Sequence, residues 1–161
     1  MSKRSSSPGT DGDHVVTSNR RARRDYEIFD IFEAGLVLVG SEVRSLREGS
    51  VHLKDAYASI DQGEAYLINC YIGPYAPAGK RQQHDPERRR KLLLHRYEID
   101  RLYGKTAERG LALIPLRIYF RDGHAKVELA VARGRRTHDK RELKRRQAVE
   151  KEIKQALHRR R

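Results

Sequence analysis

Ala56-Tyr57-Ala58-Ser59-Ile60-Asp61-Gln62-Gly63-Glu64-Ala65-Tyr66-Leu67-Ile68-Asn69-Cys70-Tyr71-Ile72 carries the strand pattern around which the rest of the chain is arranged. Runs rich in aromatic and β-branched residues flank Asp61-Gln62-Gly63, a hairpin turn signal. The pattern predicts a strand over 56–60 and a return strand over 65–72. A second hairpin follows downstream, with strands over 111–120 and 125–132 joined by Arg121-Asp122-Gly123-His124. Pro115 marks an edge or a bulge in the first of these strands, because proline cannot donate to a ladder.

Upstream, Tyr26, Ile28, Ile31, Phe32 and Leu36-Val37-Leu38-Val39 predict a strand bent or bulged near Ala34-Gly35. Ser41 then reads as the N-cap of a short helix, with Glu42 in its first turn, Val43 and Leu46 on one face, and Gly49 as its stop. Asp85-Pro86 reads as a helix start, cap then first-turn proline, running through Leu94. Ile99, Leu102 and Tyr103 share a face of a further helix that ends before Gly110. About five short strands with small helices in roughly 110 residues predict a mainly-β fold, an OB-like closed antiparallel barrel with small flanking helices.

The charge is unevenly spread. The formal net charge of the 161 residues is +13. Residues 1–24 hold six basic and two acidic side chains, and residues 133–161 hold thirteen and four, so the ends carry +4 and +9. The 16 basic and 16 acidic side chains of residues 25–132 cancel. A neutral folded body with two basic extensions points to a polyanionic partner, nucleic acid before an anionic membrane surface. The expected organisation is a disordered Ser/Gly/Asp-rich leader over 1–18, a barrel over 19–132, and a basic tail over 133–161. Residues 139–157 of that tail suit a helix that folds on its partner.

Little in the chain suggests catalysis. One cysteine, Cys70, makes no intramolecular disulfide or thiolate zinc site, and a reducing compartment fits it. No apolar run nears a membrane span or a secretory h-region, so a cytoplasmic protein without a membrane partner is expected. The seven histidines lack metal-ligand spacing. His84-Asp85 is the one imaginable nuclease pair, but Asp85 reads as a helix cap and His84 as a loop residue. Glu42, Glu48 and Asp55 sit beside basic residues and read as ordinary surface pairs. The expectation is a non-enzyme with no cofactor and no metal.

Nucleic-acid features are stronger. Asn19-Arg20-Arg21-Ala22-Arg23-Arg24 sets four guanidinium groups before the first strand, and guanidinium suits bidentate phosphate contact. Arg88-Arg89-Arg90-Lys91 precedes three leucines, either as an RNA-facing cluster or as an amphipathic helix with snorkelling charges. In Arg133-Gly134-Arg135-Arg136-Thr137-His138-Asp139-Lys140-Arg141 a flat ring lies among cations. His138 either stacks on a base or is simply solvated.

Several motifs together resemble the SsrA-binding protein family. They are Asn19-Arg20-Arg21-Ala22, Phe32-Glu33-Ala34-Gly35-Leu36, the run Gly40-Ser41-Glu42-Val43-Arg44-Ser45-Leu46-Arg47-Glu48-Gly49, His84-Asp85-Pro86, Arg90-Lys91-Leu92-Leu93-Leu94-His95 and His138-Asp139-Lys140-Arg141. The match runs in order from about Asn19 to Arg146. The resemblance implies an OB-type barrel, acting as a monomer, that binds the tRNA-like domain of transfer-messenger RNA. It implies delivery of that RNA to stalled ribosomes for trans-translation. The tail would then become a helix in the decoding centre and empty mRNA channel, against small-subunit rRNA.

By motif, Asn19, Glu33, Leu93 and Lys126 would form the RNA-binding surface of the barrel, joined by the cations Arg20, Arg21, Arg23 and Lys91. Glu33 can accept from base amino groups or orient an arginine. Leu93 is either an apolar platform or plain core packing. Gly134, Arg135, Arg136, His138, Asp139, Lys140 and Arg141 would form the decoding-centre tail, with His138 stacked on an rRNA base. Arg135-Arg136-Thr137 departs from the family's commoner Lys-Lys pair while keeping the charge, and Tyr71 departs without clear consequence. Two rival readings remain, a small RNA-processing nuclease and a general single-strand binding module. The second gains little from a chain with no Trp and three Phe.

Overall fold

A computed structural model of the chain describes residues 12–108 and 110–159. In order come β1 (His14–Ser18), α1 (Ala22–Asp25), β2 (Tyr26–Leu36), α2 (Gly40–Arg47), β3 (Val51–His52), β4 (Tyr57–Asp61), β5 (Glu64–Ile68), β6 (Tyr71–Ile72), β7 (Arg90–Leu93), α3 (Arg96–Thr106), β8 (Leu111–Arg121), β9 (His124–Gly134) and α4 (Thr137–Arg159). The fold is mainly β, one large antiparallel sheet with small helices. Its strand order is β1-β8-β4-β5-β7-β2-β9, and β9 also pairs with β8. β3 and β6 form a separate two-stranded sheet.

Both predicted hairpins are present, and their turns explain why. Gln62 and Gly63 have φ of 49° and 75°, and Asp122 and Gly123 have 51° and 76°. Positive φ at both central residues gives a tight turn whose twist matches that of the flanking strands. Ala65 and Leu67 point inward from β5 at 1% and 0% exposure, with partly exposed neighbours between them. Leu46, Leu92, Leu113, Ile118 and Leu129 join them in the main core. Each such aliphatic side chain contributes about 1.5–3 kcal/mol by leaving water. A smaller cluster of Ala22, Ile114, Leu116, Ala130 and Ala132 ties α1 to β8 and β9.

The structure departs from the expectations in several places. Where a disordered leader over 1–18 is expected, residues 14–18 form β1, antiparallel to β8. Val16 packs against the core there, while Val15 faces solvent. The first long strand stops at Leu36, and its register shift lies between Ile28 and Asp30, not at Ala34-Gly35. The predicted return strand over 65–72 is interrupted at Asn69, whose φ of 58° turns the chain so that Tyr71 and Ile72 pair with β3 instead. Pro115 does mark a bulge, with the β8–β9 register shifting between Pro115 and Arg117.

The largest correction concerns residues 85–94. Asp85-Pro86 predicts a helix, but Asp85 Oδ1 accepts the Glu87 N–H in a turn, and residues 90–93 are a strand. Arg90 and Leu92 are buried while Lys91 and Leu93 are exposed, a period of two. Arg90 is 0% exposed because Glu42, also 0% exposed, receives its Nε–H in a close ion pair. Arg88 Nη2 reaches the other Glu42 oxygen at 2.6 Å, and Arg90 Nη1 donates to the Cys70 carbonyl at 2.6 Å. Glu42 is therefore a buried anchor and not a surface pair. Its Oε1 also accepts the Val39 N–H at 3.0 Å, so Val39 is the N-cap of α2. Ser41, predicted to cap, instead bonds His84 Nδ1 at 2.8 Å.

Candidate nucleic-acid interface

Three neighbouring strands bring Glu33, Leu93 and Lys126 together. Gly35 of β2 pairs with Leu93 of β7 on one side and Lys126 of β9 on the other. Glu33 lies two residues before Gly35 and so shares its face. The three side chains line one open groove of about 520 Å³, along with Phe32, His95 and Glu98. A Cβ at position 35 would meet the Leu93 Cβ at 3.2 Å, so the glycine makes room for the leucine. Leu93 is 57% exposed. Core packing is thus not its role, and an apolar side chain stands open at the groove.

Glu33 is held from three sides. Tyr119 donates its hydroxyl to Oε2 in a close hydrogen bond, Arg121 Nη1 reaches the same oxygen at 2.8 Å, and Lys126 Nζ lies 3.2 Å from Oε1. Partial burial works against the charged carboxylate. The hydrogen bonds from Tyr119 and Lys126, with the charges of Lys126 and Arg121, outweigh it and hold the carboxyl below its usual range. A carboxylate has about four acceptor positions. One therefore remains for a donor from outside, such as a base amino group.

Arginine ladders extend this face. Arg117, Tyr119 and Arg121 alternate on β8, and both guanidinium groups lie over the Tyr119 ring, at 4.3 and 5.3 Å from its centre. Arg117 Nε donates to Glu128 at 2.9 Å. Asp13 clamps Arg121 through two bonds, 2.7 and 3.1 Å, and reaches Arg117 at 3.4 Å. The Arg121 hydrogen bond holds the Asp13 carboxyl below the usual carboxylate range. Burial, together with the bond to Glu33, pushes the Tyr119 phenol up. Sequence reading missed Asp13, Arg117, Tyr119, Arg121 and Glu128. The i, i+2, i+4 spacing of the β8 residues was the available signal.

The other expected residues divide. Asn19 spends its side-chain amide on the Pro115 carbonyl at 3.2 Å and its backbone N–H on Leu116 at 2.7 Å, which anchors the arginine arm at the β8 bulge. Arg20 and Arg23 line a small groove with Arg117 and Glu128, next to the Glu33 face. Arg21 opens on a different groove of about 370 Å³, with His52 and Lys54. Lys91 shares the outer side of β7 with Leu93 but pairs with Glu64 at 2.9 Å. Gly134 ends β9, and the Arg135 N–H donates to the Asp25 carbonyl at 2.8 Å. Arg136 and Arg141 are exposed, and Lys140 Nζ lies 3.6 Å from Asp25. His138 and Asp139 belong to α4, and their side chains fall outside the described residues.

The geometry speaks against the nuclease pair. His84 is buried, and its ring nitrogens bond Ser41 Oγ at 2.8 Å and the Ile72 carbonyl at 3.0 Å. Neither nitrogen is left to activate a water. Among the described residues no helix is long and apolar enough to cross a membrane.

Comparison with known proteins points to one family. The family model described as SmpB protein matches residues 16–159. An SsrA-binding protein of Sulfurihydrogenibium sp. is 52% identical over 143 residues, covering 89% of this chain and 93% of its own. An SsrA-binding protein of Desulforudis audaxviator is 54% identical over 142 residues, covering 88% and 92%. A solved chain described as "tmRNA-SmpB: a journey to the center of the bacterial ribosome" superposes with a TM-score of 0.64 at 51% identity, covering 75% of this chain and 85% of its own. With the matched stretch running from β1 to the end of α4, the chain belongs to the SsrA-binding protein (SmpB) family.

Proposed function

We propose that this chain is an RNA-binding adaptor that holds the tRNA-like domain of transfer-messenger RNA and delivers it to stalled ribosomes for trans-translation. The observation that carries the reading is the convergence of Glu33, Leu93 and Lys126 in one groove. They offer an acceptor, an apolar platform and a cation to a shaped RNA, with Arg20 and Arg23 placed for its phosphates. The names of the relatives, and the tmRNA and ribosome named for the solved chain, support the same partners.

The body is read as a closed OB-like barrel, because the pairings β8-β4-β5-β7-β2-β9 return to β8. The segment from Gly134 through Arg141, with the helix behind it, is read as the part that enters the decoding centre and the empty mRNA channel against small-subunit rRNA. In this reading the protein acts in the cytoplasm as a monomer, without enzymatic activity, metal or cofactor.

The test is binding of the tRNA-like domain RNA at one stated salt concentration. Glu33→Arg turns the acceptor into a donor beside Arg121 and Lys126. It is expected to weaken binding about tenfold or more, in line with the discrimination carried by one well-placed base contact. Unchanged affinity would remove the groove from the RNA interface.

A further inference from the structure

Beside the groove lies an aromatic pair that the adaptor reading does not use. The rings of His95 and Tyr97 are stacked, with centroids 5.5 Å apart and planes 9° from parallel. His95 is the N-cap of α3 and lines the same groove as Leu93, Glu33 and Lys126. Tyr97 is 69% exposed, more than any other large hydrophobic side chain among the described residues. The helix does not need it for packing, because Ile99 and Leu102 supply its buried face. One turn thus continues the open apolar surface of Leu93 with a pair of aligned rings.

We propose that His95 and Tyr97 form a stacking platform for an unpaired RNA base adjoining the nucleotide held at Leu93. This rests on the adaptor reading and deepens it. Aromatic faces take up unstacked bases with little regard to sequence, because every base has a π-face. The surroundings favour RNA over an apolar protein segment. Lys126 borders the groove as a cation, and the carboxylates of Glu33 and Glu98 can accept from base edges. The leucine and the rings would then seat two successive bases of a single-stranded turn, while Lys126 meets the backbone.

The platform is neutral when Tyr97 does the stacking, and this separates it from the phosphate contacts. Binding of the full chain to the tRNA-like domain RNA is measured over a series of salt concentrations for the parent, Tyr97→Ala, Tyr97→Phe and Glu33→Arg. Tyr97→Ala is expected to lose about tenfold in affinity at every salt, with an unchanged salt slope, and Tyr97→Phe to stay within about twofold of the parent. Matching thermal melts show that the loss is not one of folding. If Tyr97→Ala binds like the parent while Glu33→Arg is weakened, the platform is wrong and the adaptor reading stands. A Tyr97→Ala loss that vanishes at high salt also overturns the platform, since it marks an electrostatic contact. If the parent binds this RNA no better than an unrelated hairpin, both readings fall.

Discussion

The face around Glu33 and the helix α4 are both rich in charge, yet they are built in opposite ways. On the first, each charged group is tied to others. Asp13, Arg117, Arg121, Glu33, Lys126 and Glu128 form one connected network around the Tyr119 ring. On α4, Val149, Ile153 and Leu157 stand 54–62% exposed along one stripe, and among the described residues the ion pair to the body is Lys140 against Asp25. The first surface is organised before anything binds, so little side-chain freedom remains to be lost on binding. The second has no core of its own to lean on, and a helix without a packed face draws its stability from a partner.

The comparison breaks most clearly by removing one of its halves. Truncation after Gly134 is expected to abolish peptide tagging on stalled ribosomes while leaving the melt and the binding of the tRNA-like domain nearly unchanged. Persisting tagging would show that α4 is not the ribosome-dependent part. Arg90→Ala attacks the buried anchor that holds the body beneath both, stranding the Glu42 carboxylate in the core with Arg88 as its remaining ion-pair partner. A loss of about 3–5 kcal/mol in denaturant unfolding is expected.

Acid acts on the same anchor. Burial opposes the charged form of Glu42, but hydrogen bonds from Arg88, Val39 and Arg90 outweigh it and hold the carboxyl below its ordinary 4.5. A depressed carboxyl contributes stability that is complete above that value and is lost as pH falls through the folded-state pKa. Thermal melts from neutral pH downward should therefore fall away below about pH 4.5, and Glu42→Gln should flatten that limb. The smallest effect belongs to the helix. Ile153→Ala is expected to change the melt by under about 0.5 kcal/mol, as for exposed positions generally. A larger drop would mean that α4 packs against the body in solution.

What was legible in the sequence followed from local chemistry. The two hairpins announce themselves through Gln62-Gly63 and Asp122-Gly123 and the alternation around them, and Pro115 gives away its bulge. Glu33, Leu93 and Lys126 were reached through motif resemblance, and their convergence came only with the β7-β2-β9 pairing. What stayed hidden depends on partners far along the chain. Arg90 reads as surface until Glu42, 48 residues away, accounts for its burial. The Asp13 clamp on Arg121 spans 108 residues, and nothing in a polar leader marks one aspartate as its holder. Strand β7 reads as a helix for the same reason, since a buried arginine erases the visible alternation.

The sealed position of Cys70 has a practical consequence. It is buried, its carbonyl is occupied by Arg90, and burial pushes its thiol up to about 11. A thiol so protonated and so enclosed reacts poorly with maleimides near neutral pH. This chain therefore comes with a silent background for chemical labelling. A cysteine introduced on the exposed face of α4, and a second beside the groove, would carry a donor–acceptor dye pair without removal of the native residue. The distance between body and helix could then be followed as ribosomes are added.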